Sequence, residues 1–232
     1  MVTHPILKNH SENKIGSISE QLLAEVVHKI KNSLGGIGGF ATLLERDFEP
    51  EDPRLRLVQR IEDGVLRLND FVVYLMILVR IDEPTIEEVR LSGMAREVWE
   101  NYMVEQNSLF NEESIKAVSP DKTVTFMGDG QLIRHMIYHA IRFTNAMGNE
   151  LKSIDFDEGN PDKLIIRFQF QTSQFLTDYQ DIERVLQQCE PVENKLSLAI
   201  VLKMATHYSG HVTLVESGID MRTMQIHLEK GE

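Results

Sequence analysis

The sequence predicts an α+β fold: an N-terminal helical hairpin that dimerises into a four-helix bundle, then a C-terminal two-layer α/β sandwich. Three observations lead there. Apolar residues recur at helical spacing through two long stretches before residue 82. From Glu83 onward the pattern turns to short alternating strands mixed with shorter helices. A content of 42% hydrophobic and 26% charged residues in a chain of 232 is that of a globular protein able to bury a core. The expected division is an N-terminal extension over 1–15, the hairpin over 16–82 and the sandwich over 83–232.

The first helix is predicted to start at Ser17-Ile-Ser-Glu20, which fits a capping box: Ser17 accepts from the N3 amide and Glu20 reaches back to the cap. Downstream, Leu22, Leu23, Val26, Val27, Ile30, Leu34, Ile37, Ala41 and Leu44 recur at spacings of three and four, one side of a helix at about 100° per residue. Asp52 followed by Pro53 signals a second start, a cap and then a first-turn proline. Beyond it Val58, Ile61, Val65, Leu68, Val72, Leu75 and Val79 step alternately by three and four, a heptad seam. Two helices of about 45 Å each, joined by a short acidic stretch, read as an antiparallel hairpin. The second helix is apolar well beyond one stripe, through Phe71 to Val79, so a homodimer is expected to cover the surplus.

A linker is expected at Asp82 to Pro84. After it come a short strand Val89 to Leu91, a helix Ser92 to Tyr102, a strand Val124 to Met127 and a helix Gln131 to Phe143. Strands Ser153 to Asp157 and Leu164 to Phe170 flank the turn Glu158 to Asp162. A helix Leu196 to Tyr208 ends at Ser209-Gly210, and His211 to Glu216 and Thr223 to Leu228 read as strands.

Composition excludes several functions. The 24 Lys+Arg against 36 Asp+Glu leave a net charge of −12, without the basic stripe that nucleic-acid phosphates or acidic lipids require. A single Cys189 makes no intramolecular disulfide and no cysteine-rich metal site. The longest apolar run, Phe71 to Val79, is about half of the roughly 20 residues that span a bilayer. No secretory signal is visible at the N-terminus. These features predict a soluble cytoplasmic protein without a nucleic-acid or membrane partner.

The chemistry concentrates on the polar side of the first helix. At helical spacing His28, Asn32, Gly35 and Gly39 cluster roughly opposite the apolar stripe. Four glycines lie in Leu34-Gly-Gly-Ile-Gly-Gly-Phe40, each costing a helix about 0.5 to 1 kcal/mol relative to alanine. Gly35 and Gly39 on the His28 side remove side chains where a partner approaches. Gly36-Ile-Gly38-Gly-Phe-Ala41 matches the letters of a dinucleotide fingerprint, but that motif follows a strand, and the pattern before it here is helical. A lone exposed histidine is ordinarily a solvated surface residue. His135 and His139 at i and i+4 lack a third ligand in the sequence, so no metal site is expected.

The string Glu25-Val-Val-His28-Lys-Ile-Lys-Asn32-Ser-Leu34-Gly-Gly-Ile37 changes that reading of His28. It resembles the phospho-acceptor box of sensor histidine kinases, H-E-x-K/R-N-P-L-x-x-I. His28, Lys31, Asn32, Leu34 and Ile37 match, whereas Lys29 replaces the usual acid and Ser33 the frequent proline. The second half resembles the ATP-binding domain of the same kinases over roughly residues 87 to 230. Gly128-Asp-Gly-Gln-Leu-Ile-Arg134 looks like the lead-in to the family's N-box helix, which reads about one turn short here. His139 stands where the family places a magnesium-holding Asn. The D-x-G-x-G loop is absent: Gln171 to Cys189 contains no glycine. Lys195-Leu-Ser-Leu198 replaces the G-x-G-L that precedes the family's last helix.

The resemblance therefore implies a histidine phosphotransferase that relays a phosphoryl group between response-regulator receiver aspartates. His28 is the expected carrier, with Lys31 and Lys29 offsetting phosphate charge and Asn32 orienting the phosphoryl group or a water. Lys29, Gly35 and Gly39 are the expected partner contacts. No cofactor is expected on this chain, since the receiver supplies the Mg²⁺ and ATP binding in the usual mode is not expected. A divergent ATP-dependent histidine kinase and a non-catalytic docking module are the alternatives.

Overall fold

The computed structural model describes residues 8–79, 85–106, 123–148, 150–160, 162–172, 181–218 and 220–229, the side chains of 8–24, 78, 79 and 150 excepted. The chain divides into two compact units, Met1–Ile81 and Asp82–Glu232. The expected linker, Asp82 to Pro84, lies outside the described residues.

The first unit is a pair of helices, α1 over Lys8–Arg46 and α2 over Leu55–Val79. α1 starts nine residues before Ser17. A capping box satisfies amides that a continued helix satisfies with carbonyls four residues earlier, so it permits a start without forcing one. Between the helices the carboxylate of Asp52 accepts from the Arg54 backbone N–H at 2.8 Å and from its Nε at 3.0 Å. The Arg54 guanidinium also lies over the Phe48 ring, 4.4 Å from its centroid.

The expected single seam is two stripes. Val27, Leu34 and Ala41 on α1 and Val58 and Val72 on α2 are buried, and Val65 and Met76 pack against the cluster of Val27, Leu34 and Val72. All of these but Met76 recur every seven residues. Ile30, Ile37 and Leu44 on α1 and Ile61, Leu68 and Leu75 on α2 recur at the same interval yet stay exposed. They lie to one side of the buried set, because three residues advance a helix by about 300°, not a full turn. One antiparallel neighbour covers only the first stripe.

In the second unit β1 (Glu87–Arg90) and β2 (Thr125–Gly128) form a two-stranded antiparallel ribbon. β3 (Glu150–Asp157), β4 (Lys163–Gln171), β5 (His211–Gly218) and β6 (Met221–Glu229) form an antiparallel sheet in the order β3-β4-β6-β5. Among the described residues the helices are α3 (Leu91–Glu105), α4 (Gly130–Met147), α5 (Ile182–Gln188) and α6 (Val192–His207). Alternation along β4 buries Leu164, Ile166, Phe168 and Phe170, and along β6 Met224, Ile226 and Leu228. α4 and α6 meet them with Ile133, Met136, Ile137, Phe143, Leu198 and Ile200, none with any exposure. Each such side chain contributes roughly 1.5 to 3 kcal/mol by leaving water. One face of the sheet is thus the core of a helix-covered sandwich.

β1, β3 and β6 start two or three residues earlier than expected and α3 runs three residues further, to Glu105; three larger differences lie in the other helices. α4 runs a turn further, to Met147, because the polar residues at its end bond backward into it: Thr144 Oγ1 donates to the Ala140 carbonyl at 2.9 Å and Asn145 Nδ2 to that of Ile141 at 3.1 Å. α5, a helix that the sequence pattern did not announce, occupies part of the glycine-free segment, capped by the Asp181 carboxylate on the Glu183 and Arg184 amides. α6 begins at Val192, so Lys195 to Leu198 lie inside the helix. Two glycines are required by close approach. A β-carbon on Gly148 would fall 2.5 Å from the Gln171 carbonyl oxygen, and one on Gly210 would fall 1.9 Å from that of His227.

Candidate functional site

α1 presents His28, Lys29, Asn32, Gly35 and Gly39 as exposed residues and Lys31 as half-buried. At about 100° per residue Gly35 and Gly39 lie within about 20° of His28, Asn32 within about 40° and Lys31 within about 60°. The helix therefore brings these five onto one face. Lys29 lies about 100° around, at the margin. Ile37, the centre of the exposed apolar stripe, is about 180° from His28, so the imidazole faces away from that stripe.

Two local features shape this face. The Ser33 hydroxyl donates to the Lys29 carbonyl at 3.0 Å, a back-bond that typically bends a helix slightly. A β-carbon on Gly35, Gly36 or Gly39 would meet nothing within 4 Å, whereas one on Gly38 would touch Val65 Cγ1 at 3.5 Å. Packing inside this chain therefore does not demand the glycines. What they provide is bare backbone beside His28.

The second unit contrasts with this openness. His139 and Ser197 are both fully buried, and His139 Nδ1 lies 3.3 Å from Ser197 Oγ, across the α4–α6 contact. Burial, aided by the nearby His135 and Arg142, pushes the His139 imidazole down to about 3, so it is neutral at physiological pH. Tyr138 sets its ring edge-on to His139 with centroids 5.3 Å apart. At the end of α4, Thr172 Oγ1 donates to the Met147 carbonyl at 2.7 Å and Cys189 Sγ lies 4.0 Å from Met147 Sδ. Burial raises the Cys189 thiol above its usual range, which leaves it unreactive.

The resemblance to the kinases sets His139 and Ser197 against that family's magnesium-holding Asn and the second glycine of its G-x-G-L. Magnesium takes oxygen ligands and retains water. The position offers a buried neutral imidazole bonded to a hydroxyl instead, so these residues do not fit a magnesium nucleotide held there. Among the described residues no group of three or more His, Cys, Asp or Glu is placed to hold a metal ion. None of the described helices is long and apolar enough to cross a membrane.

The contact between His139 and Ser197 is the feature that residue patterns alone miss. Its only sequence signal is that both stand at departures from one family's pattern, 58 residues apart.

Residues 18–84 match the family model of the His Kinase A (phospho-acceptor) domain. Among solved structures, full-length ShkA in complex with AMPPNP is similar over 91% of this chain and 46% of its own, with 16% identity and a TM-score of 0.69. The Acinetobacter baumannii histidine kinase AdeS is similar over 88% of this chain and 97% of its own, with 11% identity and a TM-score of 0.56. The chain thus spans less than half the length of the first and nearly all of the second. No curated protein matches it in sequence. At these identities the likeness is one of fold. The architecture is histidine-kinase-like: a hairpin that matches the phospho-acceptor domain model, followed by a unit with the fold seen in histidine kinases.

Proposed function

We propose that this chain is a histidine phosphotransferase of two-component signalling, relaying a phosphoryl group between receiver aspartates of response regulators through phospho-His28. The reading is supported by one contrast: His28 is exposed on a bare helix face, while His139 and Ser197, at positions that the resemblance assigns to a kinase's nucleotide site, are buried against each other. A homodimer pairs the exposed stripes of Ile30, Ile37, Leu44, Ile61, Leu68 and Leu75 into a four-helix bundle and leaves both His28 faces outward.

The chemistry asks little of this chain. The lone pair of one His28 ring nitrogen attacks phosphorus in line with the aspartyl oxygen; the P–N bond forms, the P–O bond breaks and the carboxylate leaves. Reversal onto a second receiver completes the relay. Lys31 offsets charge on the phosphoryl oxygens, Asn32 orients them, and Lys29 adds charge at the margin. The receiver supplies Mg²⁺ and its own lysine. Lys29 carries charge where a kinase has its acid, so it provides no base for attack on ATP.

The test supplies labelled ATP alone, and separately a phosphorylated receiver domain, to wild type and His28→Ala. Acid-labile label gained only from the receiver, and lost in the variant, is the expected result. Label from ATP would identify a divergent kinase, and label from neither would leave a docking module.

A further inference from the structure

The open face of the four-stranded sheet carries a pair of side chains that the relay does not use. His211 and His227 are direct partners across β5 and β6. Their rings stack with centroids 4.3 Å apart and planes within 3°. Parallel planes send the nitrogen lone pairs side by side, not toward a shared point, so the pair is not arranged as a metal chelate. Thr213 Oγ1 lies 3.4 Å from His227 Nε2.

We propose that His211 and His227 form a proton-sensitive clasp, which holds the edge strand β5 to β6 while at most one ring is charged and releases it when both are. Among the described residues β5 ends the strand order and has β6 as its one strand neighbour. The clasp sits where β5 begins, beside the close approach of Gly210 to the His227 carbonyl.

The surroundings favour the uncharged stack. From β4, Ile165 stands opposite His227, and Lys163 and Arg167 lie two residues to either side. Arg167 is paired with Asp157 of β3. Along β6 the same face carries Gln225 and the exposed Glu229, whose partner across the sheet is Lys163. Burial, then the positive charges available to His211, Arg167 and Lys163, hold the His227 imidazole below its usual range. One proton on the pair is shared with an aromatic face; a second places two cations in contact with no carboxylate between them.

The test is amide hydrogen exchange on the full chain between about pH 7.5 and about pH 5.5, corrected for intrinsic rates, in wild type, His211→Phe and His211→Gln. Expected in wild type is a loss of protection at Thr213 and Val215, whose amides face β6, about tenfold greater than at Ile166 and Phe168. His211→Phe keeps a stacked ring without a titrating group and should abolish that difference. His211 is exposed, so neither substitution removes core. Equal loss on both strands in wild type would overturn the proposal, as would an undiminished difference in both variants. Proton NMR of the two rings gives an independent reading: two well-separated titration steps are expected, and coincident ordinary midpoints would refute the clasp.

Discussion

His139 Nδ1 and Ser197 Oγ stand 3.3 Å apart at positions without solvent exposure, joining α4 to α6. A contact of this kind specifies one arrangement of two helices, because separating them would strand both polar groups in an apolar core.

Its pH dependence has a definite sign. The folded-state pKa of His139 is about 3, below the ordinary value near 6.5. Between those values the unfolded chain binds a proton that the folded chain does not, so stability is full above about pH 6.5 and falls as pH drops toward about 3. The steepest loss from this group is about 1.4 kcal/mol per pH unit. Urea unfolding at about pH 7 and about pH 5 should show a larger loss in wild type than in His139→Gln. His135 and His227 are also held down, mainly by burial, and act in both proteins, so the difference isolates His139.

Gly35→Ala and Gly39→Ala should separate folding from transfer. A β-carbon at either site meets nothing within 4 Å, so each change should stabilise the hairpin by about 0.5 to 1 kcal/mol. If a receiver packs against that backbone, transfer to His28 should slow by about tenfold, equivalent to about 1.4 kcal/mol. Thermal unfolding and transfer rates measured on the same samples decide it; faster or unchanged transfer would remove these glycines from the docking face.

Hairpin and sandwich were legible because their signals are local. Val27, Leu34 and Ala41 announce a helix by spacing, and Leu164, Ile166 and Phe168 announce a strand by alternation. The split of α2 into a buried and an exposed stripe was not legible, since Val58 and Ile61 differ by a rotation about the axis and not by chemistry. The start of α1 and the end of α4 were missed because capping residues and Thr-Asn pairs are compatible with both a terminus and a continued helix. The exposure of His28 was legible from its helical phase, but the His139–Ser197 contact depends on tertiary packing, which no spacing rule encodes.

The exposed apolar stripe makes a prediction about assembly. Ile37→Glu together with Leu68→Glu places charge where a second hairpin is expected to bury apolar surface, and should shift sedimentation from dimer to monomer. Helicity should be retained, since Ile37 is 48% and Leu68 55% exposed. An undiminished dimer would move the interface elsewhere.

Asp129 is the anchor of α4. Its carboxylate accepts from the backbone N–H groups of Gln131 at 2.8 Å, Leu132 at 3.0 Å and Thr85 at 3.0 Å. Burial pushes its carboxyl up, but these bonds together outweigh it and leave the group below its usual range. Asp129→Ala should cost about 0.5 to 2 kcal/mol, as the loss of a cap does. Chemical denaturation measures it, and a change under about 0.3 kcal/mol would mean that water replaces the carboxylate without loss.

The seven-residue interval of the hairpin leaves an ambiguity that its connection has to resolve. A pattern repeating at Val27, Leu34 and Ala41 against Val58, Val65 and Val72 is degenerate: sliding one helix by a heptad, about 10.5 Å, matches apolar to apolar again. Helix faces alone cannot penalise that slip. The short connection can, because Arg54 is held by Asp52 and laid over Phe48, and a connection ordered on both sides has no slack for seven residues. Loosening that clamp would therefore threaten the phase between α1 and α2 before it threatened the helices themselves.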